Sequence, residues 1–478
     1  MRVLRAKGLR ARYSPVFPVA PSPAPASHAR PATRVESRKI FRLWRTGIDM
    51  TQGNANAAAV TGLEPAAVAN PPHGRQGLTE QEQDAYARKA VIASSVGYAL
   101  DGFDLLILGF ILSAVSAGLG LTSTQAGSLV TWTLVGAVAG GIVFGILSDY
   151  VGRVKVLTWT ILLFAVFTGL CALAQGYWDL LAYRTIAGFG LGGEFGIGMA
   201  LATEACRPGQ RARVSSYVGL GWQAGVLAAA LLTPVLLPYI GWRGMFAIGV
   251  LPAVASFVVR RFIGEPEVFV QGSKVARKGN PLKMLVADAA TARASLGVVV
   301  LCSVQNFGYY GLMIWMPTYL AKQFNYSLTK SALWTSVTII GMAIGIWVFG
   351  QLADRIGRRP TFLIYQVGAV VMVFVYSQLS TPYALLFGGA VMGLFVNGMI
   401  GGYGALISEL YPTQARATAQ NVLFNIGRGV GGFGPLVVGA LAASYSFGTA
   451  IAVLASIYVL DILATLFLIP ERKGAALE

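Results

Sequence analysis

Asp101 and Asp104 lie three residues apart in the run Ala99–Leu105, inside an apolar stretch from Val91 to Val115. A carboxylate at the centre of a bilayer costs roughly 2.5–3.5 kcal/mol even on the lenient insertion scale. The spacing puts both on one helix face, so they look into a bundle interior or a watery cavity and not into lipid. Carboxylates in such a place take up and release protons along a pathway, or they hold a permanent ion pair with a basic residue elsewhere.

Three further charges sit in apolar surroundings. Glu194 lies in the glycine-dense run Gly188–Gly198, where small neighbours let another helix approach. It can relay a proton toward the basic side of the membrane or serve as a structural hydrogen-bond partner. Arg184 is ten residues away, about 15 Å along a helix axis, too far for a direct pair. Arg428 follows the start of its apolar span by about 16 Å, near the midplane. Its planar fork can hold a carboxylate bidentately, or pair with an aspartate of the other half of the chain. Both hold if substrate exchanges for the internal partner. Asp461 is a weaker candidate, read mainly as a packing residue.

Polar and aromatic side chains cluster nearby: Trp222 and Gln223; Gln305, Asn306, Tyr309 and Tyr310; Asn397 and Tyr403. Amides and phenols orient a carboxylate or hydroxyl, and rings cover an apolar body. The only histidines, His28 and His73, precede the first span, and Cys171, Cys206 and Cys302 have neither metal nor disulfide spacing. No metal or other cofactor is expected, and carboxylates are the expected proton carriers.

The elements that position these residues follow from hydropathy. The chain has 478 residues, 55% hydrophobic and 12% charged, against about 25% charged for a soluble domain. Twelve apolar spans of bilayer length are read at 91–115, 126–147, 156–175, 178–203, 214–238, 242–263, 294–320, 328–352, 361–379, 382–408, 417–442 and 447–469. The expectation is an all-α membrane protein with twelve transmembrane helices in two six-helix bundles, residues 91–263 and 294–470. A cytoplasmic linker, 264–293, joins them, and a short tail, 471–478, follows. The net charge of +17 is topogenic and not a nucleic-acid footprint: residues 1–50 hold about half of it, and most of the rest lies in short loops on one side. The opposite loops hold Arg243, Lys322 and Lys330. The basic side is therefore cytoplasmic, with both termini inside.

Residues 1–90 read as a disordered tail. Within it, 1–49 are Arg- and Pro-rich without a signal-peptide core, an over-extended start with Met50 as the expected initiator. The alternatives are an Arg-rich transit peptide and a simple cytoplasmic extension.

The halves repeat. Gly145-Ile-Leu-Ser-Asp149-Tyr-Val-Gly152-Arg153 matches Gly350-Gln-Leu-Ala-Asp354-Arg-Ile-Gly357-Arg358, and Glu204 and Arg211 map to Glu409 and Arg416 at the same offset. Gly145 and Gly350 permit close helix approach, Gly152 and Gly357 turn the chain, and Asp149 and Asp354 end helices where a carboxylate needs a cationic or N–H partner. Arg153 and Arg358 can supply one, making a latch on the cytoplasmic side. Gly429–Pro435 reads as a hinge.

The paired G-x-L-[SA]-D-x-x-G-R segments, with Arg184-x3-Gly188-x-Gly190-x-Gly192, resemble the major facilitator superfamily over residues 90–474. Gly264-Glu265-Pro266-Glu267 and Pro470-Glu471-Arg472-Lys473-Gly474 are similar to the half-ending motifs of its sugar and organic-ion members. Asp101-Gly102-Phe103-Asp104 is similar to the first-helix motif of its aromatic acid:proton symporters; Gly192–Gly196 with Thr203-Glu204-Ala205 is similar to its sialate and lactate symporters. The resemblance implies a monomeric, multi-pass transporter of the bacterial inner membrane. It would import a small organic carboxylate with protons, driven by the proton gradient. Spans 1, 4, 7 and 10 would line the cavity, with Arg428, Asn306, Tyr309, Asn397 and Gln223 at the substrate. Asp101, Asp104 and Glu194 would couple protons, together with Arg184, whose role is implied by the resemblance. A proton antiporter exporting a drug or metabolite is the nearest alternative. The absence of a nucleotide loop points to an ion gradient as the energy source, and a membrane enzyme or receptor is disfavoured by the absence of zincin and nucleophile-elbow motifs and of an appended soluble domain.

Overall fold

The computed structural model describes residues 80–251, 264–265, 279–324 and 328–474. The tail through residue 79, with Met50, and most of the central linker lie outside the described residues. Among those described the chain is helical, with no strand, and eleven helices are long and apolar enough to cross a membrane. The apolar run 242–263 begins within the described residues but continues beyond them.

The first half comprises α1 (Glu80–Leu119), α2 (Ser123–Val151), α3 (Arg153–Cys171), α4 (Tyr177–Ala205) and α5 (Arg211–Ile248). The second comprises, after the one-turn α6 (Pro281–Met284), α7 (Ala289–Phe324), α8 (Leu328–Ile356), α9 (Arg358–Ser377), α10 (Pro382–Gly398), α11 (Ile400–Leu410), α12 (Arg416–Gly431), α13 (Gly434–Ser444) and α14 (Phe447–Phe467).

Several boundaries differ from hydropathy. The first helix starts at Glu80 and not near 91, so residues 80–90, expected in the tail, are helical. The extra turns are amphipathic and tied down. Arg207 reaches Glu80 at 3.6 Å and Asp84 at 3.2 Å, and the Tyr86 hydroxyl donates to the Gly264 carbonyl. α7 begins at Ala289, inside the expected linker, because Asp288 accepts the N–H groups of Ala290 and Thr291. Those bonds, led by the Thr291 N–H and hydroxyl, hold the Asp288 carboxyl below the usual range. The fifth and sixth spans run together through Gly241, whose φ of 63° supplies the kink. Span 10 divides at Met399, between glycines 398 and 401, and span 11 divides at Gly432–Phe433, inside the expected hinge.

The turns that carry the repeated motif are short. Gly152 joins α2 to α3 at φ 131°, and Gly357 joins α8 to α9 at φ 109°, conformations open to glycine and rare for other residues. Each is followed by a helix N-terminus held by a distant carboxylate. Glu265 accepts the N–H groups of Arg153, Val154 and Lys155, and Glu471 those of Arg358 and Arg359. The half-ending motifs thus cap a helix near the start of their own half.

The two central helices are the most enclosed: 83% of the apolar window of α4 and 72% of that of α7 is buried, against 39% for α1 and α9. Apolar residues such as Trp132, Val143, Trp347 and Phe374 are about half exposed on outer faces, as lipid contact requires. Close approach rests on small residues. A Cβ at Gly225 of α5 would lie 1.8 Å from the Ala99 carbonyl of α1, and one at Gly140 of α2 would lie 1.8 Å from the Phe189 carbonyl of α4.

Candidate functional site: a central cavity between two charge networks

The halves meet on the motif side through two related networks. In the first, Arg153 binds Asp149 at 3.0 Å and Glu204 at 3.1 Å, and donates to the Thr413 carbonyl at 2.8 Å. Arg416 of the other half reaches the same Glu204 at 2.9 Å. Asp149 accepts the Thr418 N–H at 2.8 Å and its hydroxyl at 2.6 Å, at the N-terminus of α12. The second network exchanges the halves. Arg358 binds Asp354 at 2.8 Å and Glu409 at 2.7 Å, Arg211 lies 3.6 Å from Glu409, and Asp354 accepts the N–H groups of Ala212 and Arg213 at the N-terminus of α5. Gly145 and Gly350 sit where the halves touch: a Cβ there would lie 2.9 Å from the Asn421 Cβ and 2.2 Å from the Ser216 hydroxyl. Thr203 and Ser408, equivalent at the 205-residue offset, share a hydrogen bond of 2.8 Å. A contact between equivalent residues marks the pseudo-twofold axis between the halves.

Asp149→Asn is expected to slow initial transport about tenfold, because it weakens buried charge-assisted bonds worth about 1.5–3 kcal/mol each. The protein should remain monodisperse, since Arg153 keeps its pair with Glu204 and is not left as an uncompensated buried charge. Unchanged initial uptake rates would leave the motif a purely topogenic loop.

Deeper along α12, away from the networks, Phe424 stacks on Phe195 of α4 at 3.7 Å between ring centroids. Beyond it lies a cavity with about 220 Å³ of empty space, lined by Tyr98, Trp222, Gln305, Asn306, Tyr309, Tyr310, Asn397, Ile400, Phe424 and Arg428. Arg428 is 12 residues beyond Arg416, about 18 Å at helical rise, so the network and the cavity stand at different depths. The guanidinium is 2% exposed: Nε donates to the Tyr310 hydroxyl at 3.1 Å, the plane lies 5.1 Å from the Trp222 ring, and Nη2 is 3.5 Å from Asp101. Both Nη atoms lack a hydrogen-bond acceptor among the described residues, and both Asp101 oxygens lack a donor.

Four of the five residues expected at substrate, Arg428, Asn306, Tyr309 and Asn397, line this cavity. Gln223 does not, although it is buried. Its neighbour Trp222 takes the cavity face, and adjacent residues on a helix point about 100° apart. Tyr98, Ile400 and Phe424 were not anticipated. Two had a readable signal: Tyr98 stands three residues before Asp101, and Phe424 four before Arg428, on the same faces. Ile400 had none, because it faces the cavity after the break at Met399.

The acidic residues separate. Asp101 turns to Arg428, whereas Asp104 takes Arg184 at 3.1 and 3.3 Å. Glu194 is 1% exposed and packs on Gly97, where an added Cβ would lie 1.9 Å from its Oε1. Asp461 is buried on α14, away from the cavity lining. From the Tyr177 end of α4 toward the networks, Arg184–Asp104, Asp101–Arg428, Glu194 and Glu204 form a series of buried ionisable side chains.

A duplicated half, a cavity on the dividing surface and motif networks to one side together describe a two-bundle transporter. The sequence profile of the Major Facilitator Superfamily matches residues 94–347 and 298–477. The chain belongs to the major facilitator superfamily. A protein of Haemophilus influenzae named for metabolite transport is 66% identical over 402 residues, covering 83% of this chain and 99% of its own. The cis,cis-muconate transport protein of Acinetobacter baylyi is 27% identical, covering 77% and 91%. Among solved structures, the proton:xylose symporter XylE bound to 6-bromo-6-deoxy-D-glucose has the same fold, with a TM-score of 0.71 at 18% identity, covering 83% of this chain and 98% of its own. The chain is thus a multi-pass major facilitator transporter and not an enzyme, and the twelve-helix, two-bundle architecture expected from hydropathy is that of this fold.

Proposed function

We propose that this transporter imports a small organic carboxylate together with protons, with the basic loops in the bacterial cytoplasm. The observation that carries the reading is the Arg428 end of the cavity. A buried guanidinium offers two Nη groups without acceptors, beside a buried carboxylate, Asp101, that lacks hydrogen-bond donors. A carboxylate substrate can satisfy Arg428 and displace Asp101, and the displaced aspartate then avoids an uncompensated buried charge by carrying a proton. Substrate and proton bind together by this exchange. Asp104, Arg184 and Glu194 extend the proton route along the same half, and the motif networks close the cytoplasmic side until both ligands are bound. The similarity to a transporter of muconate, itself a carboxylate, supports the substrate class.

Purified protein in liposomes tests the reading. A radiolabelled muconate or aromatic carboxylate should accumulate under an inward pH gradient and equilibrate without one. Accumulation driven only by an outward proton gradient would mark an antiporter.

A further inference from the structure

Two asparagines of α12 hold α4 across the dividing surface at a single helical turn. Asn421 Oδ1 accepts the Gly196 N–H at 3.0 Å, and Asn425 Nδ2 donates to the Gly192 carbonyl at 2.8 Å. These two backbone groups are the N–H(i) and O=C(i−4) that close one turn of an α-helix. Asn421 and Asn425 are 0% and 1% exposed, and in sequence they stand between Arg416 of the first network and Arg428 of the cavity. Their amide orientations follow from what they meet, an N–H for one oxygen and a carbonyl for one nitrogen. Glycines make the room. A Cβ at Gly196 would run into the Asn421 amide carbon, and one at Gly141 of α2 into the Asn425 amide nitrogen. The glycine run of α4 thus contains a docking turn for the other half.

Each group in this contact has a partner to fall back on. If α12 withdraws, the Gly196 N–H and the Gly192 carbonyl still have each other, so no backbone group is stranded in an apolar interior. Asn425 Nδ2 also donates to the Asn421 carbonyl of its own helix at 2.9 Å. The contact is single in a duplicated molecule. The 205-residue offset carries Asn421 and Asn425 to Ser216 and Leu220 of α5, and Gly192 to Asn397. The Ser216 hydroxyl donates to the Arg213 carbonyl of its own helix. The captured turn carries Glu194 and Phe195 between its ends, a buried acid and the ring that stacks on Phe424.

We infer that Asn421 and Asn425 are positioning residues of the transport cycle. They clasp the Gly192–Gly196 turn of α4 while the motif side is closed, and they release it, with its helical bond left to itself, when that side opens. The inference rests on the proposed reading of the motif networks as a gate.

The test is the distance between spin labels at Gly209→Cys and Gln414→Cys. These exposed positions lie on opposite halves and are related by the same offset. The purified full chain would carry Cys206→Ser, and Cys171 and Cys302 are buried out of the label's reach. Asn421→Ala and Asn425→Ala should each shift the ratio of close to separated distances roughly 2- to 12-fold toward separation, the range for one neutral hydrogen bond. The α4 amides should stay protected from hydrogen exchange, because the helical bond takes over. Gly196→Ala should shift the distances the same way. Combined with Asn421→Ala it should add less than its own effect, since the new methyl group then has no amide to meet. Unchanged distances in both asparagine variants, with Asp149→Asn still shifting them, would overturn the clasp alone. Unchanged distances in all three would overturn the gate reading with it. Loss of α4 protection in the asparagine variants would make them plain supports of that helix and also overturn the clasp. If one asparagine variant fails to fold, the other and Gly196→Ala still decide the outcome.

Discussion

Arg428→Ala is expected to lower substrate affinity more than 100-fold. Neither Nη group has a hydrogen-bond acceptor among the described residues, although Nη2 pairs with Asp101 at 3.5 Å, and a hydrogen bond to a charged group contributes about 1.5–3 kcal/mol. Two such bonds lost together exceed 3 kcal/mol, and 1.4 kcal/mol is a factor of ten. Arg428→Lys separates charge from shape. It keeps the cation but loses the planar fork and the Nε bond to Tyr310, so affinity should fall about tenfold. Direct titration reads both variants. Unaltered affinity in Arg428→Lys would reduce Arg428 to a structural partner of Asp101.

Asp101→Asn should abolish accumulation driven by a pH gradient while leaving exchange of substrate across a gradient-free membrane. The reason lies in how loosely Asp101 is held: it contacts Arg428 at 3.5 Å without a hydrogen bond, whereas Asp104 is bound by Arg184 at 3.1 and 3.3 Å. The looser partner is the one a substrate can displace. Asp104→Asn leaves Arg184 buried without its carboxylate, and breaking a buried pair from one side costs about 3–5 kcal/mol, so that variant should lose stability as well as transport. Uptake by Asp101→Asn that still concentrates substrate would move the proton site to Glu194. Loss of exchange along with accumulation would make Asp101 a substrate ligand.

Much of this architecture was legible before any coordinate, because a bilayer imposes a length and a polarity that survive in one sequence. The 205-residue repeat located both networks, and the pairs Glu204–Arg416 and Arg211–Glu409 turn out to be the same contact made twice with the halves exchanged. The site was legible as residue types but not as a surface. Hydropathy says that Gln223 is buried but not which way it points, and only the packing of α5 on α1 decides that Trp222 and not Gln223 meets the cavity. The separation of Asp101 from Asp104 was hidden for a similar reason. Their common face is wide enough for each to find a different arginine, one on α12 and one on α4. The break at Met399 arises where α8 and α9 crowd glycines 398 and 402; the glycines are readable in the sequence, but the crowding on them is not.

If the motif networks close one side of the cavity, as proposed, the ownership of their charges decides how that closure responds to its surroundings. Asp149, Arg153 and Glu204 all belong to one half, and Asp354, Arg358 and Glu409 to the other. Across the divide each aspartate meets mainly backbone N–H groups at a helix start. When the halves part, each triad travels intact and only Arg416 and Arg211 lose a carboxylate. Opening as proposed would exchange amide contacts for water and would also separate the Arg416–Glu204 and Arg211–Glu409 pairs, so that both ionic strength and osmolytes that compete for hydration would tune how often that side opens.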